Sequence, residues 1–170
     1  ASRVVESIAA ECGRSVVRTG TSRRALSAAS LRDDIGFAGS RRGGFVFPQF
    51  LAAYDSMMSF GMVLRMLDRH ETTLDEVVAA LPPFYLRTRA VPCPFDRKGA
   101  VMRTMAALGQ TDEAEMVEGV RILTDDGWAL VLPHATEAVV YVYAEGADDA
   151  SADATVARYV AAVEDAIANG

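Results

Sequence analysis

Apolar positions recur at helical spacing through the first half of the chain and alternate residue by residue through much of the second. Val4, Val5, Ile8 and Cys12 form one helical stripe that Gly13 ends, and Ser2 stands where an N-cap belongs. SVVRT (Ser15 to Thr19) reads as a short strand, and SRRALSAASLRDD as a second helix opened by Ser22. IGFAGS and GGFVF are short extended runs around a glycine-rich turn, so this third of the chain alternates helix with strand and is expected to be α/β. Pro48 suits the first turn of a long helix running to about Arg69, because its missing N–H would have no partner there anyway. Met58, Met62 and Met66 follow at i, i+4 and i+8 and read as core residues, with Leu51, Tyr54 and Leu67 near that face. TTLDEVVAALPP adds a capping box, Thr73 with Glu76, and a stop at Pro82 and Pro83.

Beyond the double proline the period changes. YLRTRAVPC is expected as a strand, RKGAVMRTMAALG as a helix, and EGVRILT, WALVL and AVVYVYAE as three more strands, before a final helix from about Ser151 to Ala168. Asp-Asp-Gly joins the first two of those three strands as a hairpin turn. Adjacent strands flanked by helices predict a small α+β domain with a mainly antiparallel sheet. Two domains follow, an α/β region over 1–83 and an α+β domain over 84–170.

Composition narrows the classes of function. Half the residues are hydrophobic, enough for a real core in 170 residues, yet no apolar run approaches the length of a membrane span. The start of the chain lacks the charged and apolar regions of a signal peptide. Cys12 and Cys93, the only cysteines, sit in unlike contexts without CxxC or Cys/His spacing, so a reduced, cytoplasmic protein without structural zinc is expected. The formal charge of -6 hides an asymmetry: residues 1–50 carry eight arginines against four acids, +4, and the remainder nine cations against 19 acids, -10. No stacking aromatics interleave with those arginines and no apolar run is long enough to span a bilayer, so neither nucleic acid nor membrane is an expected partner, and a compact anion or a solvated face fits the basic end better.

The doublets Asp33/Asp34, Asp125/Asp126 and Asp148/Asp149 fall where turns or helix ends are expected and read as caps in preference to metal ligands. His70 suits the C-terminal end of the long helix, and no serine or cysteine has a nucleophile's context. Two stretches stand out. In GSRRGG, Gly39 to Gly44, the glycines let the backbone approach a ligand while Arg41 and Arg42 offer bidentate donors to phosphate or hydroxyl oxygens; a solvated surface turn is the plainer alternative. In TSRRAL, Arg23 and Arg24 lie at the positive end of a helix, an unfavourable place for cations unless an anion or acid answers them.

Together these segments resemble the C-terminal half of the α-D-phosphohexomutases, the phosphomannomutase and phosphoglucomutase family, over essentially the whole chain. The resemblance implies a partial three-layer α/β third domain, followed by a small α+β fourth domain. GSRRGGFVFPQFLAAYDSMM occupies the place of the family's GExSG sugar loop, and WALVLPHATEAVVYVYAE that of its RPSGTEP phosphate loop. In the sugar loop Gly39 and Gly43 remain, while Ser40 replaces the glutamate and Arg42 the serine. In the phosphate loop only Pro133, Thr136 and Glu137 remain. The arginine falls at Leu132, the serine at His134, the glycine at Ala135 and the proline at Ala138, and the arginine of the next strand at Tyr141. Each lost guanidinium removes charge-assisted hydrogen bonds worth about 1.5–3 kcal/mol, which one imidazole does not replace.

The family's phosphoserine loop and DxDxDR magnesium loop are absent from this chain, so no catalytic residue, metal or cofactor is expected within it. Its first helix would normally follow a strand, which implies a fragment with upstream domains of the same protein as partners. VVRTGTSRRAL and VPCPFDRKG are similar to the mutase-like C-terminal region of bacterial mannose-1-phosphate guanylyltransferase-type proteins, whose phosphate loop reads LPxxxEP. That similarity implies a non-catalytic region fused to a nucleotidyltransferase, binding a sugar phosphate through Arg23, Arg24, Gly39, Ser40, Arg41, Arg42 and Gly43, with His134, Thr136 and Glu137 left in a degenerate phosphate loop. The alternatives are the substrate-binding half of an active mutase and a structural assembly module, the latter allowing a homo-oligomer.

Overall fold

The computed structural model of the chain describes residues 2–20, 22–41, 43–109 and 119–169, and the backbone of 114–116. Two compact units emerge, Arg3–Pro83 and Phe84–Gly170, with Ser2 grouped with the second.

The first unit holds helices α1 (Val4–Glu11) and α2 (Arg23–Ser30), the two-stranded antiparallel hairpin β1 (Ala38–Gly39) and β2 (Phe45–Val46), then α3 (Ser56–Arg69) and α4 (Leu74–Ala79). Ser22 caps α2 by accepting from the Ala25 N–H, as its position suggests. The capping box of Thr73 and Glu76 forms in full. Several expectations need correction. Arg3, not Ser2, occupies the N-cap of α1 and makes no side-chain cap. Ser15 to Thr19 join no sheet among the described residues; the Arg18 guanidinium instead grips the Glu6 carboxylate of α1 at 2.7 and 2.8 Å. The long helix begins at Ser56, because Asp55 accepts from the Met58 N–H at 2.8 Å and caps it there, while Pro48 sits in a turn closed by a Phe47–Leu51 bridge. No residue of α3 is buried: Met58 and Met62 are half-buried and Met66 is exposed, so the methionine stripe is not a closed core.

The second unit runs β3 (Tyr85–Pro92), α5 (Lys98–Gly109), β4 (Ala114–Met116), β5 (Val120–Thr124), β6 (Gly127–Pro133), β7 (Val139–Gly146) and α6 (Asp149–Asn169). Its sheet is antiparallel throughout, in the order β3-β7-β6-β5-β4. β4 is a strand for which the sequence pattern provides no expectation. Thr124 pairs with Gly127 across the two-residue Asp125-Asp126 turn. Strand alternation sends Ile122, Ala129, Val131, Val140, Val142 and Ala144 to one face, where they are fully buried against α5 and α6. α6 meets them with Ala152, Val156, Tyr159, Val163 and Ala166, spaced by three or four residues on one stripe. The opposite face carries half-buried Leu130, Leu132, Tyr141 and Tyr143. Trp128 and Glu145 are buried on it as a cross-strand pair, the indole N–H donating to the carboxylate. The fold is thus mixed α/β followed by a small α+β unit.

Candidate functional site

The arginine-bearing loop of the first unit is the tip of the β1–β2 hairpin. Gly39 pairs with Phe45, the Ser40 N–H donates to the Gly44 carbonyl at 3.2 Å, and the Gly43 N–H donates to the Ser40 carbonyl at 3.1 Å. Ser40 also donates its hydroxyl to the Gly43 carbonyl at 2.6 Å. Gly43 and Gly44 both have positive φ, +83° and +84°, and a Cβ on Gly44 would lie 2.8 Å from the Tyr54 ring. Glycine is therefore required at Gly44 twice over, by backbone conformation and by space. Arg41 is exposed at the tip, and Arg42 lies outside the described residues. Phe37 stacks on Phe45 with ring centroids 5.7 Å apart and tilts against Phe47, giving the base of the hairpin an aromatic side.

Arg23 and Arg24 occupy the exposed first turn of α2, a helix with no acid in that turn. Neither makes an ion pair among the described residues, so the positive helix end and two guanidiniums add without local compensation. α2 packs near β1, within the same unit as the hairpin.

In the second unit the segment 134–138 closes the β6–β7 connection. The His134 N–H donates to the Val139 carbonyl at 3.0 Å, and the Val139 N–H to the Glu137 carbonyl at 2.8 Å. The His134 ring accepts the Glu137 N–H at Nδ1, 3.1 Å away, with the Glu137 carboxylate 3.7 Å from the same atom. His134 meets Tyr141 edge-on at 5.9 Å, and Tyr141 stacks on Tyr143 at 6.0 Å. A basic group does reach this loop, and sequence reasoning missed it. Lys98, in the first turn of α5, donates its ammonium to the carbonyls of both His134 and Glu137. The same Nζ lies 4.2 Å over the Phe95 ring, and the Cys93 N–H donates to the Ala138 carbonyl at 2.8 Å. The string VPCPFDRKG thus wraps the loop from below. A cation at the N-terminal end of a helix, where the dipole disfavours it, was the available clue.

Burial pushes the Cys93 thiol up from its ordinary value, which keeps it protonated and unsuited to attack. No group of three His, Cys, Asp or Glu among the described residues could hold a metal ion. Two of the three acidic doublets have structural contacts: Arg32 holds Asp34, Arg87 holds Asp149, and Asp148 caps the start of α6 by accepting from the Ser151 N–H at 2.7 Å, while Asp125 and Asp126 form the β5–β6 turn. These residues do not fit the magnesium site that the family implies. The second unit also shows a cavity of about 370 Å³, between Arg89 and the Asp153–Glu164 face of α6, which contains none of the loop residues above.

An α/β unit with a glycine-turned hairpin, followed by a five-strand, two-helix α+β unit, is the architecture of the C-terminal part of a phosphohexomutase. The chain belongs to the phosphoglucomutase/phosphomannomutase family: that family's alpha/beta/alpha domain III matches residues 1–85. A probable phosphoglucosamine mutase of Methanopyrus kandleri is 30% identical over 147 residues, 85% of this chain and 32% of the relative. Among solved structures, a phosphoglucomutase/phosphomannomutase family protein from Burkholderia thailandensis matches 97% of this chain and 36% of its own with a TM-score of 0.79 at 19% identity. The N-acetylphosphoglucosamine mutase of Aspergillus fumigatus, solved with GlcNAc-6P and magnesium, matches 96% and 36% with a TM-score of 0.68 at 21% identity. The chain spans about a third of the length of these relatives. All three are named as mutases or members of the mutase family, and the expected guanylyltransferase fusion gains no support from them. No helix among the described residues is long and apolar enough to cross a membrane.

Proposed function

We propose that this chain is the substrate-binding C-terminal part of a sugar-phosphate mutase acting on a hexose or hexosamine phosphate. The observation that carries this reading is the hairpin tip held by the left-handed Gly43 and Gly44, with Arg23 and Arg24 in the acid-free first turn of α2 in the same unit, in a chain of the phosphoglucomutase/phosphomannomutase family. The mutase names of the relatives support a phosphorylated sugar as substrate class. In this reading Gly39, Ser40 and Gly43 shape a backbone that sugar hydroxyls approach, and Arg23, Arg24, Arg41 and Arg42 supply forks to phosphate or hydroxyl oxygens. In the second unit, His134, Thr136 and Glu137 offer polar groups of their own on the β6–β7 loop.

Calorimetric titration of the chain with glucosamine 6-phosphate and glucose 1-phosphate tests this. Saturable binding is expected, weakened about tenfold when Arg23 and Arg24 are both replaced by alanine, as the loss of a charge-assisted contact implies. Folded protein that takes up neither ligand at millimolar concentration would refute it. A second reading, binding without turnover, is favoured by Leu132 and Tyr141, which stand where guanidiniums grip phosphate in the family. An assay of the intact cellular protein for interconversion of glucosamine 6-phosphate and glucosamine 1-phosphate separates the two: turnover supports the first, tight binding with no turnover the second.

A further inference from the structure

We infer that Lys98 is a positioning residue for the 134–138 loop, locking it in a shape that offers backbone N–H groups to an anionic ligand. This rests on the sugar-phosphate reading and deepens it by identifying what replaces the missing guanidiniums. Three carbonyls of the loop turn toward the 93–98 segment: those of His134 and Glu137 accept from the Lys98 ammonium, and that of Ala138 from the Cys93 N–H. Ala135 and Thr136 are exposed residues, and their N–H groups and the Thr136 hydroxyl make no hydrogen bond among the described residues. Successive unpaired N–H groups in a turn make an anion-binding concavity, and the cation on the His134 carbonyl polarises the peptide unit that carries the Ala135 N–H.

Lys98 is suited to hold the loop and poorly placed to meet a ligand itself. It is half-buried, two of its three donors are committed to carbonyls, and the Phe95 ring covers the ammonium. Its contribution is therefore to the geometry of the loop, with phosphate oxygens contacting Ala135, Thr136 and the edge of His134. Arginine presents the same charge as a fork that reaches two carbonyls, whereas methionine fills the space without a donor.

The test uses the whole chain and has a ligand-free arm. Hydrogen exchange is followed at the His134, Glu137 and Val139 amides, each bonded inside the loop. Ala135 and Thr136 amide shifts are then titrated with inorganic phosphate and with glucosamine 6-phosphate. Lys98→Met is expected to speed exchange at those three amides about tenfold and to weaken both ligands about tenfold, the size of one charged hydrogen bond. Amides of β5 and α6 should stay unchanged, and Lys98→Arg should restore both readouts to within about threefold. Wild-type exchange in Lys98→Met overturns the inference, as does acceleration spread evenly over β5 and α6, which would make Lys98 a general stabiliser. If loop exchange changes as expected while the wild-type chain ignores both ligands, the positioning role of Lys98 stands and the sugar-phosphate reading fails.

Discussion

The two units use similar proportions of apolar residues in opposite ways. Among the described residues all but two of the buried apolar side chains, Leu26 and Val46, belong to the second unit. There a five-stranded sheet presents one continuous face, and two helices cover it. Among the described residues of the first unit the only sheet is a pair of two-residue strands, so α3 and α4 have little to lie against, and Met57, Phe60, Leu64, Leu74 and Val78 remain exposed. An amphipathic stripe therefore specifies a helix without ensuring a core; the core needs a partner surface of matching size.

The sharpest way to break this comparison is to delete equal side chains from each unit. Met105→Ala removes a fully buried side chain of α5 and is expected to cost the second unit about 2–5 kcal/mol, read from its urea midpoint. Met62→Ala, in half-buried α3, is expected to cost less than about 1 kcal/mol. Equal losses would show that α3 is as well packed as α5. Next in size is Trp128→Phe, which keeps most of the ring but removes the N–H that Glu145 accepts; a loss of about 1–3 kcal/mol is expected, with tryptophan fluorescence abolished and thermal unfolding as the measure. A neutral result would mean that Glu145 finds another donor at no cost.

Gly44→Ala sharpens the comparison from the other side, since it strains the first unit where packing contributes least. A left-handed alanine and a Cβ against the Tyr54 ring together should cost about 1–2 kcal/mol. The loss should appear in the first unit's transition alone, with any affinity for glucosamine 6-phosphate falling alongside it. Unchanged stability would show that the hairpin tip relaxes freely.

Legibility in the sequence follows the same divide. β3, β5, β6, β7, α5 and α6 could be placed from strict alternation and helical stripes, because burial on one face imposes those periods. The start of α3 was misplaced, since Pro48 is compatible with both a helix start and a turn, and the cap formed by Asp55 decides between them. Ser15 to Thr19 have strand composition, yet strand formation depends on a neighbour that residue preferences do not reveal. For the site, Gly39, Gly43 and the arginines were visible as types in a pattern, whereas the Lys98 clamp joins residues 36 apart and only the β3–β7 pairing brings that segment beside the loop.

The smallest expected effect concerns pH, and it confines a charge cluster to the second unit. Arg87 of β3 binds Asp149 and Asp153 of α6, with 2.7 Å between its Nε and the Asp153 carboxylate. The hydrogen bond from Arg87 holds the Asp153 carboxyl below its ordinary value of 3.8, and the guanidinium is pushed upward in return. A carboxyl lowered by folding contributes stability that is fully present above its unfolded pKa and is lost as pH falls through the folded one. The partners are largely solvated, so the contribution is screened by salt. Arg87→Met should therefore lower the second unit's urea midpoint by a small, constant amount from pH 7 down to about 4, with the gap from wild type closing below that. Asp148, lowered chiefly by the Ser151 N–H, keeps its own acid dependence in both proteins, so the mutant curve should still fall at low pH. A gap that persists undiminished at pH 2 would show that Arg87 acts through packing of its stem on α6 instead of through charge.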